Sequence, residues 1–339
     1  MVGSIPPMSA VATRERVFSG MRPTGQLHVG HLLGALGNWV RLQDDYECIY
    51  SVVDLHALTT GYENAEDIRR NSREMVADWL AVGVDPQRSI VFRQSDVHEH
   101  AELATLLGMV TPLSWLERVP TYKGQLAELG EGIDTYGFLG YPLLQTADII
   151  LYRATRVPVG QDQLPHLELA REVVRRMNHL YGDLFPEPQP ILAEFPLVLG
   201  VDNRKMSKSY GNAVTLADPD EEIDRLVMSM ITDPQRVRRD IPGRPEICTV
   251  FAWHKAFDAP QAEIDAIYEG CTTAVLGCVQ DKRDLAERVK ARIGPIRERR
   301  EALMADPTAI DDILADGAER ARAIAAPILD EVKEAMGLR

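Results

Sequence analysis

The sequence predicts an α/β fold: a doubly wound parallel sheet followed by a C-terminal all-helical domain. Three observations predict it. Near the N-terminus a short strand passes through a proline-glycine turn into an amphipathic run. Strand-like and helix-like segments then alternate along the first two-thirds of the chain. From about residue 214 apolar residues recur at spacings of three and four. Alternation of this kind implies parallel strands joined by right-handed crossovers, a Rossmann-like arrangement whose ligands bind at the carboxyl ends of the strands.

Taken in order, residues 1–15 read as a disordered tail, because "MVGSIPPMSAVATRERV" has neither the basic start nor the apolar core of a signal peptide. "RVFSG" (16–20) is a strand, Arg22-Pro23-Thr24-Gly25 a turn, and a helix follows from about 30 to 43. "ECIYSVVDLHAL" (47–58) is a continuous apolar run with β-branched residues, the pattern of a strand covered on both faces. A helix at about 64–82 precedes the strand "SIVFRQS" (89–95). Residues 98–152 read as mostly helical, with the Gly-rich "ELGEGIDTYGFLG" marking a helical insertion at about 105–140. "ATRVPVGQDQ" returns as strand and turn, and "LPHLELAREVVRRMNHLYG" as an amphipathic helix. The first domain thus covers 16–213, with a loop at 202–212, and the helical domain covers 214–339, where Pro327 predicts a kink or a break into two helices.

Composition narrows the function. With 339 residues, 45% hydrophobic and 26% charged, the chain can bury a large core. A net charge of −14 excludes a protein that coats nucleic acid indiscriminately, because counterion release needs a broad basic face. No apolar stretch approaches membrane-span length, and four cysteines make no disulfide framework, so a cytoplasmic protein is expected. Cys48, in the second strand, is expected in the core.

Two motifs carry chemistry. "HVGH" sets His28 and His31 in the first turn of a helix, where unpaired N–H groups and the helix dipole favour an anion, and Gly30 lets a nucleotide approach the backbone. By themselves the two histidines leave phosphate binding, metal ligation and simple capping open, though metal ligation lacks a matching third and fourth ligand nearby. "KMSKS" (205–209) adds Lys205, Lys208 and the hydroxyls of Ser207 and Ser209 in a loop ahead of the helical domain.

With both motifs present in this order, the chain resembles a class I aminoacyl-tRNA synthetase, and within that class the bacterial tryptophanyl-tRNA synthetases. The likeness runs from about residue 17 to the C-terminus. It rests on "FSGMRPTGQLHVGH", "VVDLHALT", "TPLSWLERVPTYK", "YPLLQTADIILY", "VPVGQDQLPHLELAREV", "KMSKS" and "ILADGAERARAIAAPILDEVKEAMGL".

The resemblance implies a reaction: a tryptophan carboxylate attacks the α-phosphorus of ATP, releasing pyrophosphate, and the tryptophanyl group then passes to tRNA(Trp). No enzyme nucleophile is required, so catalysis means positioning and charge stabilisation. His28, His31, Lys205, Lys208 and Lys123 are the implied catalytic groups. Arg22, Thr24, Gly30, His31, Gln163, Met206, Ser207 and Ser209 are implied at ATP, whose Mg²⁺ is held by its own phosphates. Gly20, His56, Tyr141, Gln145, Asp148 and Gln163 are implied at tryptophan. Asp148 would receive the indole N–H, which can only donate, and Asp162 would orient its neighbours or the ribose. Two departures from the family pattern stand out: Arg22 replaces a common glutamine, and Gln145 a common apolar residue. Both alter hydrogen-bonding demand beside the substrate.

For tRNA, the basic run "RVKARIGPIRERR" offers Arg297, Arg299 and Arg300 in the domain where the family meets the anticodon, and "RVRRD" is a second basic cluster. The family's homodimer would share that contact between two subunits. Cys248, Cys271 and Cys278 match spacings that hold an iron–sulfur cluster in some members, but Asp281 stands where the fourth thiolate is needed, so the expected site is degenerate and unloaded. Tyrosine activation is the alternative specificity, because a phenol also donates. A small-molecule adenylyltransferase would not need the helical domain or the lysine-serine loop. A non-aminoacylating regulatory paralogue would not need all four of His28, His31, Lys205 and Lys208.

Overall fold

The computed structural model describes residues 14–120, 134–192, 198–206 and 210–339. Five strands form one parallel sheet: β1 (Arg16–Met21), β2 (Glu47–Val52), β3 (Ser89–Arg93), β4 (Arg156–Val159) and β5 (Gln189–Leu192), in the order β3-β2-β1-β4-β5. Each pair runs parallel, with Phe18 opposite Ile49 and Tyr50 opposite Val91. The order reverses direction between β1 and β4, so the carboxyl ends of those two strands open a crevice.

The helices follow from local chemistry. After β1, a turn with Gly25 at φ +115° leads into α1 (Val29–His31), which continues through a π-helical turn (Leu32–Leu36) into α2 (Gly37–Asp45). The stretch 47–58, expected as one strand, divides. The strand ends at Val52 and α3 (Asp54–Gly61) begins at once, its start fixed by the Asp54 carboxylate, which accepts the Leu55, Ser95 and own-turn donors available there. α4 (Ala65–Val82) packs under the sheet, where Trp39 stacks on Tyr50 with centroids 4.3 Å apart and meets Trp79 edge-on at 4.9 Å. On the other face lie α5 (Glu99–Val110), α6 (Leu113–Glu117), α7 (Tyr136–Ile150) and α8 (Leu164–Tyr181). β5 is a strand the sequence did not announce. Its "QPIL" is four residues long and carries Pro190, which is tolerable because β5 is an edge strand.

The C-terminal region is helical as expected: α9 (Asp220–Ser229), α10 (Thr249–Ala256), α11 (Gln261–Thr272), α12 (Cys278–Ala305) and α13 (Pro307–Ala335). α9 to α12 share a core of their own around Val227, Trp253, Val289 and Ile293. α13 does not join it. Ile310 and Leu314 enter the core on one face of the sheet, and Ala321, Ala325 and Leu329 enter the core on the other. The expected division at residue 214 is therefore redrawn, because the last helix closes the edge of the sheet domain beside β3. α13 also runs unbroken through Pro327, flanked by the buried Ala325, Ile328 and Leu329, whose packing holds the helix together where one backbone N–H is missing. Among the described residues no helix is long and apolar enough to cross a membrane.

Candidate functional site

A cavity of about 580 Å³ lies at the crevice between β1 and β4. Ser19, Gly20 and Met21 from β1 and Val157 to Val159 from β4 with the adjoining Gly160 line it, together with Arg22, Thr24, His31, His56, Tyr141, Gln145, Asp148, Gln163 and Lys205. Gly20 lets β1 pack closely against Val53, since a β-carbon there would lie 2.6 Å from Val53 Cγ1.

The start of α1 is built by capping. His28 is the N-cap of α1, and its Nδ1 accepts the Gly30 N–H at 3.1 Å while His31 Nδ1 accepts the His28 N–H at 3.2 Å. The two imidazoles therefore fix each other, with centroids 3.9 Å apart. The capping and phosphate readings of the motif are not exclusive: one nitrogen of each ring holds the helix start, and His31 faces the cavity. The turn is clamped from outside by the segment that follows the lysine loop, because Val29 N donates to Val214 O and Leu216 N to Leu27 O.

Lys205 reaches the same cavity from a stem built on Asn212, whose amide donates to Asp202 Oδ1 and Lys205 O. Gly200 admits that close packing, and Asn203 takes the left-handed turn at φ +66°. Trp253 Nε1 donates to Leu199 O and Thr249 Oγ1 to Asn203 Oδ1, so the stem is tied to α10. Met206 is buried against Gly30. Lys123, Ser207, Lys208 and Ser209 lie outside the described residues.

Asp148, which lines the same cavity, is buried, 1% exposed. His56 Nε2 meets Oδ2 at 2.8 Å, while Gln94 Nε2 and His100 Nδ1 meet Oδ1 at 2.6 and 2.7 Å. Burial pushes this carboxyl up, but the hydrogen bonds and charge of His100 and His56 outweigh it and hold it at about 2. His56 stands in the first turn of α3 rather than at the strand's end, edge-on to Tyr141 with centroids 4.7 Å apart. Tyr141 in turn meets His166, whose pKa burial lowers to about 4. Gln163 donates to Asp162. Arg22 is desolvated, which lowers its pKa. It reaches Thr60 Oγ1 at 2.5 Å, and among the described residues it has no carboxylate partner and its buried Nε no acceptor. Gln145 Oε1 is likewise buried and unpaired. Sequence reasoning missed Gln94, His100 and Tyr152. They stand behind Asp148 rather than in the cavity, and neither spacing nor motif marks them.

One expected site, the arginine cluster, takes a different form. Arg297 donates to Asp218 O and pairs with Asp220, Arg299 caps the end of α4 through Ala81 O, and Arg300 is buried on Asp78 at 2.7 Å. Arg297 and Arg300 are struts between α12 and its neighbours, while Arg299 stays exposed beside its one backbone contact. At the cysteines, Arg236 Nη1 sits 3.7 Å from Cys271 Sγ and 3.6 Å from Cys278 Sγ, and Asp281 turns to His254 Nε2 at 3.1 Å. Only about 10 Å³ of space remains, and burial raises the Cys248 and Cys271 thiols instead of favouring thiolates. These residues do not fit an iron–sulfur cluster.

Comparison with known proteins agrees with this geometry. Residues 12–294 match the family model described as tRNA synthetases class I (W and Y). The tryptophan–tRNA ligase of Thermotoga maritima is 49% identical over 325 residues, covering 95% of this chain and 99% of that protein. That of Aquifex aeolicus is 43% identical, covering 95% of this chain and all of its own length. The crystal structure of the Campylobacter jejuni tryptophanyl-tRNA synthetase complexed with ADP and tryptophan superposes with a TM-score of 0.87 at 32% identity, covering 95% of this chain and 99% of that one.

Proposed function

That the chain belongs to the class I tRNA synthetases for tryptophan and tyrosine, on the bacterial tryptophanyl side, is the premise from which we propose how it works. It activates L-tryptophan with ATP and transfers the product to tRNA(Trp). The observation that carries this reading is that Lys205, from the loop ahead of the helical region, and His31, from the first helix, line one cavity that also holds a buried acceptor, Asp148.

The roles follow from charge. His28, His31 and Lys205, joined by Lys208 and Lys123, stabilise negative charge on the α-phosphorus and the leaving pyrophosphate, and magnesium enters with the ATP it neutralises. Among the described residues Arg22 meets no anion, and the substrate carboxylate or α-phosphate is its natural partner. Thr24, Gly30, Gln163 and Met206, with Ser207 and Ser209, complete the ATP side. Tyr141 and Gln163 hold the α-ammonium, and Asp148 accepts the indole N–H beside His56, Gln145 and Gly20. The helical region from 214 meets the anticodon. A cytoplasmic homodimer lightens the tRNA contact asked of each acidic subunit.

ATP–pyrophosphate exchange measured with each of the twenty amino acids tests the reading. Tryptophan dependence supports it; tyrosine dependence, or no exchange, defeats it.

A further inference from the structure

The polar groups behind Asp148 form a chain that the reaction does not itself use. Tyr152 Oη lies 2.7 Å from His100 Nε2, and His100 Nδ1 lies 2.7 Å from Asp148 Oδ1. His100 is fully buried and walled by the rings of Phe18, Phe92 and Tyr152, with centroids 6.4, 5.7 and 5.4 Å away. An ionised carboxylate offers about four acceptor positions. Gln94 and His100 fill both on Oδ1, and His56 takes one on Oδ2, leaving a single acceptor position on the oxygen nearest His56 and the cavity.

We infer that His100, anchored by Tyr152, is the positioning residue that keeps Asp148 an obligate acceptor and so makes the cavity select a substrate ring bearing an N–H donor. This rests on the functional reading above, in which Asp148 faces the ring. Either protonation state of His100 presents an N–H to Oδ1, because Tyr152 can donate to a neutral Nε2 or accept from a charged one. Without that N–H, Oδ1 keeps only Gln94, in a site closed to water. A carboxylate so deprived takes up a proton more readily. Once protonated it becomes a donor, and a ring N–H meets a donor instead of an acceptor.

The ionisable groups around the chain are few. His56, Tyr141 and Arg22 stand on the cavity side, the last through its field on Tyr141, which Asp162 also feels, and the buried Glu99, with His98 and Arg322 beside it, is the second carboxylate after Asp148 whose field reaches Tyr152. None of these donates to Oδ1, so none replaces His100.

The test compares kcat/KM in ATP–pyrophosphate exchange for tryptophan and for its isostere in which sulfur replaces the ring N–H, between pH 6 and 8.5. A site built around a substrate N–H discriminates by roughly 10³-fold or more, and the wild-type ratio is expected to be flat with pH. His100→Asn, whose amide N–H can still reach Oδ1, should hold the ratio and its flatness. His100→Leu should lower the ratio at least tenfold, more at pH 6 than at pH 8.5, chiefly through KM for tryptophan. Tyr152→Phe should shift it the same way by less, and it decides the matter if His100→Leu does not fold. A ratio in His100→Leu, or failing that in Tyr152→Phe, that stays at the wild-type value across the pH range overturns the inference. So does a wild type that activates tryptophan without discriminating. A wild type that does not activate tryptophan overturns the functional reading beneath it.

Discussion

Met206 closes over Gly30: a β-carbon built on Gly30 would lie 3.3 Å from the Met206 sulfur and 2.9 Å from His28 Cε1. The residue between the two histidines is thus the point where the two signature segments touch, and it has no room for a side chain. Gly30→Ala must push His28 off the Gly30 N–H or lift Met206, moving Lys205 with it. A displacement of about 1 Å at a reacting centre costs roughly 10²-fold in rate. We expect kcat for ATP–pyrophosphate exchange to fall 10- to 100-fold (order of magnitude) with tryptophan KM little changed. Steady-state kinetics at saturating ATP check it, and an unchanged kcat would mean the contact is incidental.

Lys205 is exposed at the cavity rim, so its ammonium is not part of the folding core. Lys205→Ala should leave the melting temperature unaltered and lower kcat by about 10²- to 10³-fold, the usual effect of removing one preorganised charge donor. Lys205→Arg keeps the charge but not the point geometry and should recover only part of the rate. If alanine raised KM for ATP and spared kcat, Lys205 would bind the ground state only.

Arg300 illustrates a residue whose sequence reading and structural role diverge. Its side chain is 11% exposed against an Asp78 that is 1% exposed, and the second oxygen of Asp78 accepts the Leu27 N–H just before His28. Removing one partner of a buried pair strands the other, at a cost of about 3–5 kcal/mol. Arg300→Met should therefore lower the urea midpoint sharply, and adding Asp78→Asn should restore part of it. Among the folded molecules KM for tRNA should be unchanged. A large rise in that KM with stability intact would return Arg300 to the RNA surface.

The difference between Arg300 and Lys205 marks what the sequence could disclose. Lys205, His28 and His31 sit in motifs whose spacing is set by the chemistry itself, so their convergence could be expected before any coordinates. A run of arginines carries no such constraint. Whether it faces solvent or a carboxylate depends on residues such as Asp78 and Asp220, far away in the chain. That the sheet is parallel followed from strand-helix alternation, but β5 did not, because "QPIL" between prolines lacks both length and periodicity. The helical pattern of α13 was legible, yet its partner was not: periodicity shows that a helix has an apolar face, not which core receives it. For the same reason His100 stayed hidden, since a buried imidazole behind a carboxylate leaves no spacing signature.

The docking of α13 gives a paired prediction. A β-carbon on Gly317 would stand 1.9 Å from the Val91 carbonyl oxygen, so the helix lies directly on the backbone of β3. Gly108 in α5 has only Tyr136 Oη at 3.9 Å. Alanine in a helix interior is otherwise favoured over glycine by about 0.5–1 kcal/mol. Gly108→Ala should show that gain, whereas Gly317→Ala should lose about 1–3 kcal/mol or more by forcing the helix off the strand. Chemical denaturation of both variants checks the sign. A stabilised Gly317→Ala would mean that α13 is not seated on β3.

Asp148 links the site to acid stability. Its carboxyl titrates at about 2 in the folded protein against an ordinary value of 3.8, so the unfolded chain binds the proton first as pH falls. A depressed carboxylate contributes its stability above the unfolded value and loses it on acidification through the folded one. The difference corresponds to about 2 kcal/mol at neutral pH, of which roughly half is gone by pH 3. The wild type minus Asp148→Asn difference in unfolding free energy should therefore be constant from pH 7 to about 5 and shrink by about 1 kcal/mol by pH 3. The subtraction removes the other carboxylates, which titrate alike in both proteins. If the difference held constant to pH 3, the His56 and His100 hydrogen bonds would not be stabilising the charged form of Asp148, and its acceptor role in the cavity would lose its electrostatic basis.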